Sequence, residues 1–163
     1  MDSHPTRAGH RALRRGRCSL PGHTYLLTAV CLRRTPFFRN WCCASAVAAV
    51  LSEARLWRDA RLECWALMPD HVHAMVTLGD EPLASLACRV KAVTSAATNR
   101  ALGRTGGSVW ARGYHDHALR READIRTVAR YVIANPLRAG LVESIGDYPY
   151  WNATWLEGCE NIV

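Results

Sequence analysis

Several kinds of segment are missing from this sequence, and each absence removes a class of protein. No window approaches the roughly 20 consecutive apolar residues of a membrane-spanning helix. The longest apolar run, WCCASAVAAVLSEARLW (residues 41–57), is interrupted by Ser45, Ser52, Glu53 and Arg55. The N-terminal stretch is basic but has no apolar segment behind it, so it does not read as a secretory leader. There is no C-x-x-C among the seven cysteines, Cys18, Cys31, Cys42, Cys43, Cys64, Cys88 and Cys159. An odd number without that spacing argues against a disulfide framework or a zinc ribbon, and for reduced, mostly buried thiols. No repeat and no long low-complexity linker divides the chain. A cytoplasmic location with no membrane partner is expected.

What is present suits one domain with one core: 163 residues, 49% of them hydrophobic and 21% charged. The formal net charge of +7 points to an acidic partner, of which nucleic acid is the commonest. The charge is uneven. Arg7, Arg11, Arg14, Arg15 and Arg17 crowd the first residues. Residues 1–20 read as a basic flexible arm, which either lies along phosphates or is a solvated tail.

Thr24–Arg34 is β-branched and aromatic and reads as a strand, ended by Pro36. Asn40–Asp59 reads as an alanine-rich helix with Asn40 as N-cap. Arg61–Pro69 places Leu62, Cys64, Ala66 and Met68 on one face of a second strand. Asp70–Leu78 is a third, and Pro69-Asp70 between them suits a tight antiparallel hairpin. Glu81–Leu102 reads as a helix with Pro82 in its first turn and an apolar stripe of Leu83, Leu86, Ala87, Val90, Val93 and Ala97. Ser108–Arg120 reads as a fourth strand. Arg121–Pro136 reads as a third helix, acidic at its start and stopped by Pro136. The order β-α-β-β-α-β-α predicts an α+β, ferredoxin-like domain: a four-stranded antiparallel sheet with two helices on one face, followed by a C-terminal helix. The domain is expected over 21–150, with a tail, 151–163, whose Trp151 and Trp155 pack back on the body.

Two histidines stand one residue apart in WALMPDHVHAMVTLGD (residues 65–80). On a strand, residues i and i+2 point the same way, so His71 and His73 project together while Val72, Ala74 and Val76 take the other face. Two imidazoles side by side can grip one cation, yet the pattern alone equally fits two polar-face histidines. The last helix adds a second observation. Ile125, Val128, Ala129 and Val132 form its buried stripe, and Tyr131 and Asn135, four apart, sit together at the border of that stripe. Alone, they also fit a half-buried structural tyrosine and a capping asparagine. Together, His71, His73 and Asn135 offer three neutral ligands to a divalent cation that polarises a phosphodiester. Tyr131 would be the nucleophile, its phenol activated by a base, by the cation, or by both.

MPDHVHAMV (residues 68–76), followed by GSVWARGYHDHALRREADIRTVARYVIANPLRAGLV (residues 107–142), resembles the REP-associated tyrosine transposases. These are chromosomal relatives of the HUH single-tyrosine transposases of bacterial insertion sequences. RRGRCSLPGHTYLLTAVCLRRTPFF, near the start, is similar to that family's opening, so the likeness spans about residues 11–150. It implies a ferredoxin-like fold, Mg²⁺ or Mn²⁺, and cleavage and joining of single-stranded DNA near hairpins of palindromic repeats, by a monomer or a homodimer. It makes His71 and His73 the paired metal ligands, Tyr131 the nucleophile that takes a 5′-phosphate, and Asn135 the third, amide-type ligand, where insertion-sequence relatives more often carry Gln.

Tyr114, beside His115 and His117, is the rival nucleophile; these two histidines form a second H-x-H, and Asp116 and His117 are placed either at the rim of the site or as plain strand residues. DNA contacts are expected from the arm (Arg11, Arg14, Arg15, Arg17), the second helix (Arg89, Lys91, Arg100) and the loop to strand four (Arg104, Trp110, Arg112), since arginine binds phosphates and guanine edges and tryptophan stacks unpaired bases. Trp110 fits the core equally well. Three other readings stay open: a domesticated hairpin-binding protein that does not cut, a metallohydrolase without a covalent step, and a structural protein without metal.

Overall fold

The computed structural model describes residues 19–156. Five strands form one antiparallel sheet: β1 (Thr24–Val30), β2 (Ala60–Met68), β3 (His71–Leu78), β4 (His115–Leu119) and β5 (Trp151–Ala153). Their order across the sheet is β4-β1-β3-β2-β5. The helices are α1 (Trp41–Leu51), α2 (Leu83–Ala101), α3 (Glu122–Ile133) and the single turn α4 (Asn135–Arg138). None of the described helices is long and apolar enough to cross a membrane.

The α+β class and the β2–β3 hairpin are as the sequence predicts. Met68 pairs with His71, leaving Pro69-Asp70 as a two-residue turn. Asn40 caps α1, its side-chain oxygen accepting from Cys43 N at 3.1 Å; such a cap contributes about 1 kcal/mol.

Other expectations need correcting. The sheet has five strands, because Trp151–Ala153, assigned to the tail, pairs with β2. Ser108–Arg120 is not one strand: only His115–Leu119 joins β1, and Trp110 makes a single bridge to Cys31. The helix expected over Asn40–Asp59 stops at Leu51, and a 3-10 turn over Ala54–Trp57 follows. Pro136 does not end the helical path. α3 ends at Ile133, and Pro136 enters the first turn of α4, where its missing N–H costs nothing. Val93 is exposed; Thr94 and Thr98 take its place in the buried stripe of α2. Their hydroxyls donate to Val90 O and Thr94 O, so burial leaves no polar group unpaired there.

The sheet has two covered faces. On one, Tyr25, Ala29, Trp65, Leu67, Val72, Ala74 and Val76 pack against Val47 and Leu51 of α1 and Leu86 and Val90 of α2. On the other, Cys64, Ala66, Met75, Leu119 and Ala153 pack against Ala129 and Val132 of α3. The second face explains why Cys64 to Met68 are all buried rather than alternating. A register shift between Leu62 and Cys64 also breaks the expected one-sided row.

Candidate active site

Alternation along β3 puts Val72, Ala74 and Val76 on the α1–α2 side and His71, His73 and Met75 on the α3 side. The histidine pair and the helix that carries Tyr131 therefore share one face of the sheet. The imidazole centroids lie 4.8 Å apart with their planes nearly perpendicular, at 81°.

Each ring is fixed through Nδ1. His71 Nδ1 lies 2.7 Å from Asp70 Oδ1. The carboxylate can only accept, so Nδ1 carries the proton and Nε2 presents a lone pair. His73 Nδ1 lies 2.7 Å from Thr28 Oγ1, a residue paired with it across the β1–β3 ladder. The Thr28 hydroxyl can accept from or donate to that nitrogen; with the proton on Nδ1, His73 would offer Nε2 in the same way. Burial, and secondarily the charge of His71, push His73 down to about 4, so it is neutral at pH 7. Burial pushes the Asp70 carboxyl up, but its hydrogen bonds and charge contacts with His71 and Arg34 outweigh that and hold it below its ordinary value.

Two imidazoles held in fixed orientations fit a divalent cation. Among the described residues no group of three or more His, Cys, Asp or Glu side chains could hold a metal, so any third protein ligand would be of another type. Asn135 suits that place chemically. It opens α4, which lies against β2 beside β3. Its Nδ2, a donor, is buried without a hydrogen-bond partner, which is costly unless an acceptor reaches it; a cation would take Oδ1 instead.

Tyr131 stands on the last full turn of α3, 45% exposed, with the Arg138 guanidinium 4.9 Å from its ring centroid. An exposed phenol beside a cation can meet a polyanion. Tyr114 is placed otherwise: half-buried, it packs against the α1–α2 core, on the opposite side of the sheet from His71 and His73. His115 and His117 are exposed on the edge strand β4. His115 pairs with Thr28, which pairs with His73, so it stands at the rim of the histidine face.

The residues expected to touch nucleic acid separate into groups. Trp110 is buried, its Nε1 donating to Thr94 Oγ1 at 2.9 Å and its ring 5.4 Å from that of Phe38; it is a core residue. The Arg89 guanidinium is held by Glu81 at 2.5 Å and by Leu56 O at 2.9 Å. Lys91 Nζ donates to the carbonyls of Ala111, Arg112 and Gly113 and pins that loop. Arg104 donates to Asn99 at 2.6 Å and lies over Phe37. Arg100 and Arg112 are exposed. Arg11, Arg14, Arg15 and Arg17 lie outside the described residues.

Three supports went unassigned in the sequence: Thr28, Asp70 and Arg34. Asp70 carried a signal, an acid next to His71 in the hairpin turn. Thr28 carried none, since its role depends on a strand register between distant segments.

The family profile described as "Transposase IS200 like" matches residues 19–135. A REP-associated tyrosine transposase of Escherichia coli (strain K12) is 26% identical over 95 residues, covering 57% of this chain and 54% of that protein. The chain thus spans about half the length of that relative. The solved structure of a REP-associated tyrosine transposase bound to a REP hairpin superposes with a TM-score of 0.67 at 22% identity, covering 90% of this chain and 86% of the other.

Proposed function

Because the chain belongs to the IS200-like transposase family, we propose that it cuts and rejoins single-stranded DNA beside hairpins, with Tyr131 as nucleophile. His71, His73 and Asn135 would hold Mg²⁺ or Mn²⁺. The observation that carries this reading is the commitment of both Nδ1 atoms, one to Asp70 and one to Thr28, on the face that also carries α3.

Bound there, a divalent cation would withdraw charge from the scissile phosphate and favour attack on it. The residues do the rest. His71 and His73 present Nε2 lone pairs in fixed directions. The Tyr131 oxygen bonds to phosphorus, the bond from phosphorus to the 3′ oxygen breaks, and a free 3′-hydroxyl leaves. The 5′-phosphotyrosine keeps the bond energy, so a 3′-hydroxyl of another strand end can reverse the step and join. Arg138, already over the Tyr131 ring, supplies a cation beside the incoming phosphate. Exposed Arg100 and Arg112 add to the basic surface for the strand. The hairpin preference rests on the REP hairpin bound by the similar solved structure.

The test is a nicking assay on labelled single-stranded hairpins with Mg²⁺ or Mn²⁺, run on a denaturing gel that retains protein–DNA adducts. The wild-type chain should give a slow adduct and a 3′-hydroxyl fragment. Tyr131→Phe should give neither, and His71→Ala combined with His73→Ala should lose cation-dependent cutting. An adduct that persists in Tyr131→Phe would show that the nucleophile is another residue. Tight binding without any adduct in the wild-type chain would identify a binder that does not cut.

A further inference from the structure

The two histidines are held by unlike partners. His73 meets a hydroxyl; His71 meets a carboxylate that is itself held from several directions. The Asp70 carbonyl accepts from Cys31 N at 2.8 Å, and the preceding carbonyl, of Pro69, accepts from Phe38 N at 3.0 Å. The second carboxylate oxygen, Oδ2, receives Arg34 at 3.3 Å. Residues 31–38 thus wrap the tip of the β2–β3 hairpin. They do so with Arg33 and Arg34 both in the left-handed region, at φ 55° and 56°. Two successive non-glycine residues adopt that conformation only where surrounding contacts impose it.

The wrap seats Cys31 and Phe38 in the α1–α2 core. It also ties down the hairpin tip and, through Arg34, holds the carboxylate that meets His71. We infer that Asp70 is a positioning residue for the metal ligand His71, holding Nε2 aimed outward and enriching the ring as a donor. The inference rests on the reading of His71 as a ligand given above. Carboxylate partners of ligating histidines commonly change metal affinity by about 10- to 100-fold. Arg34 is the weaker member. Its side chain is 67% exposed against 24% for Asp70, and exposed ion pairs contribute little.

The experiment is calorimetric titration of the full chain with Mn²⁺, without DNA, with the thermal midpoint of each variant measured alongside. Asp70→Ala should bind Mn²⁺ about 10- to 100-fold more weakly. Asp70→Asn keeps an acceptor oxygen without the charge and should fall between that variant and the wild type. Arg34→Gln should stay within about fivefold of wild type. A purely structural role would lower the thermal midpoint and leave the affinity of the folded protein unchanged. Wild-type affinity in folded Asp70→Ala overturns the inference and leaves the histidine site standing. If Asp70→Ala does not fold, wild-type affinity in Asp70→Asn overturns it instead. Mn²⁺ binding that survives His71→Ala unchanged overturns the site reading itself, and this inference with it.

Discussion

The β2–β3 hairpin and the α3–α4 segment share one face of the sheet, but they are finished to different degrees. In the hairpin both imidazoles have their Nδ1 partners in place, the opposite side is closed core, and the turn is tied down by residues 31–38. In α3–α4 the phenol is half in solvent, the helix breaks at Ala134, and Asn135 buries an amide nitrogen that no group satisfies. The histidine half is fixed by folding. The half that carries Tyr131 and Asn135 still has hydrogen-bonding capacity to spend on ligands, as unliganded sites often do.

The largest test of this contrast is acid. His73 lies at about 4 against an ordinary 6.5, from burial first and the His71 charge second. The unfolded chain therefore takes up the proton before the folded one. Stability contributed by this residue is full above about pH 6.5, falls as pH drops, and levels off near pH 4, a loss of about 3 kcal/mol. Denaturant melts of the metal-free chain across that window should show this slope, and His73→Gln should flatten it. An equally steep slope in the variant would break the claim that the hairpin site is closed.

A middle-sized effect is expected at Asn135. Asn135→Leu removes the unpaired amide, so stability should rise by about 1 kcal/mol or more while adduct formation falls roughly tenfold or more. Loss of stability would mean that the amide is satisfied within the fold and that the two halves are alike. The smallest effect belongs to Arg138. Arg138→Gln removes a cation–π contact of about 0.5–1 kcal/mol at an exposed site, so adduct formation should slow by less than about fivefold with little change in thermal midpoint.

How much of this could be read in advance follows the same division. The hairpin was legible because period-2 alternation and the Pro-Asp turn are local signals, and so was the stripe of α3; the helix break that puts Tyr131 on α3 and Asn135 on α4 was not. Long-range satisfaction was not. Arg89 and Lys91 look like surface charges until Glu81 and the 111–113 carbonyls are brought beside them. Trp110 has the composition of a strand residue but is fixed by Thr94 and Phe38. β5 has three residues, too few to show any period. Thr94 and Thr98 read as polar, yet their hydroxyls bond within their own helix and they sit in the core.

The strand order also has a consequence for how the site comes into being. Among the described strands only β2 and β3 are joined by a tight turn; β1 is separated from that hairpin by α1 and three 3-10 turns, and β4 joins β1 from beyond α2. Loop closure favours the short connection, so the hairpin is expected to form on a microsecond scale, ahead of the rest of the sheet. His71 then has its partner from the outset, because Asp70 is the adjacent residue. His73 waits for Thr28, 45 residues away, and its orientation is set only when β1 docks. A chain emerging N-terminus first holds β1 ready before the histidines are made, so synthesis supplies the distant support ahead of the group that needs it.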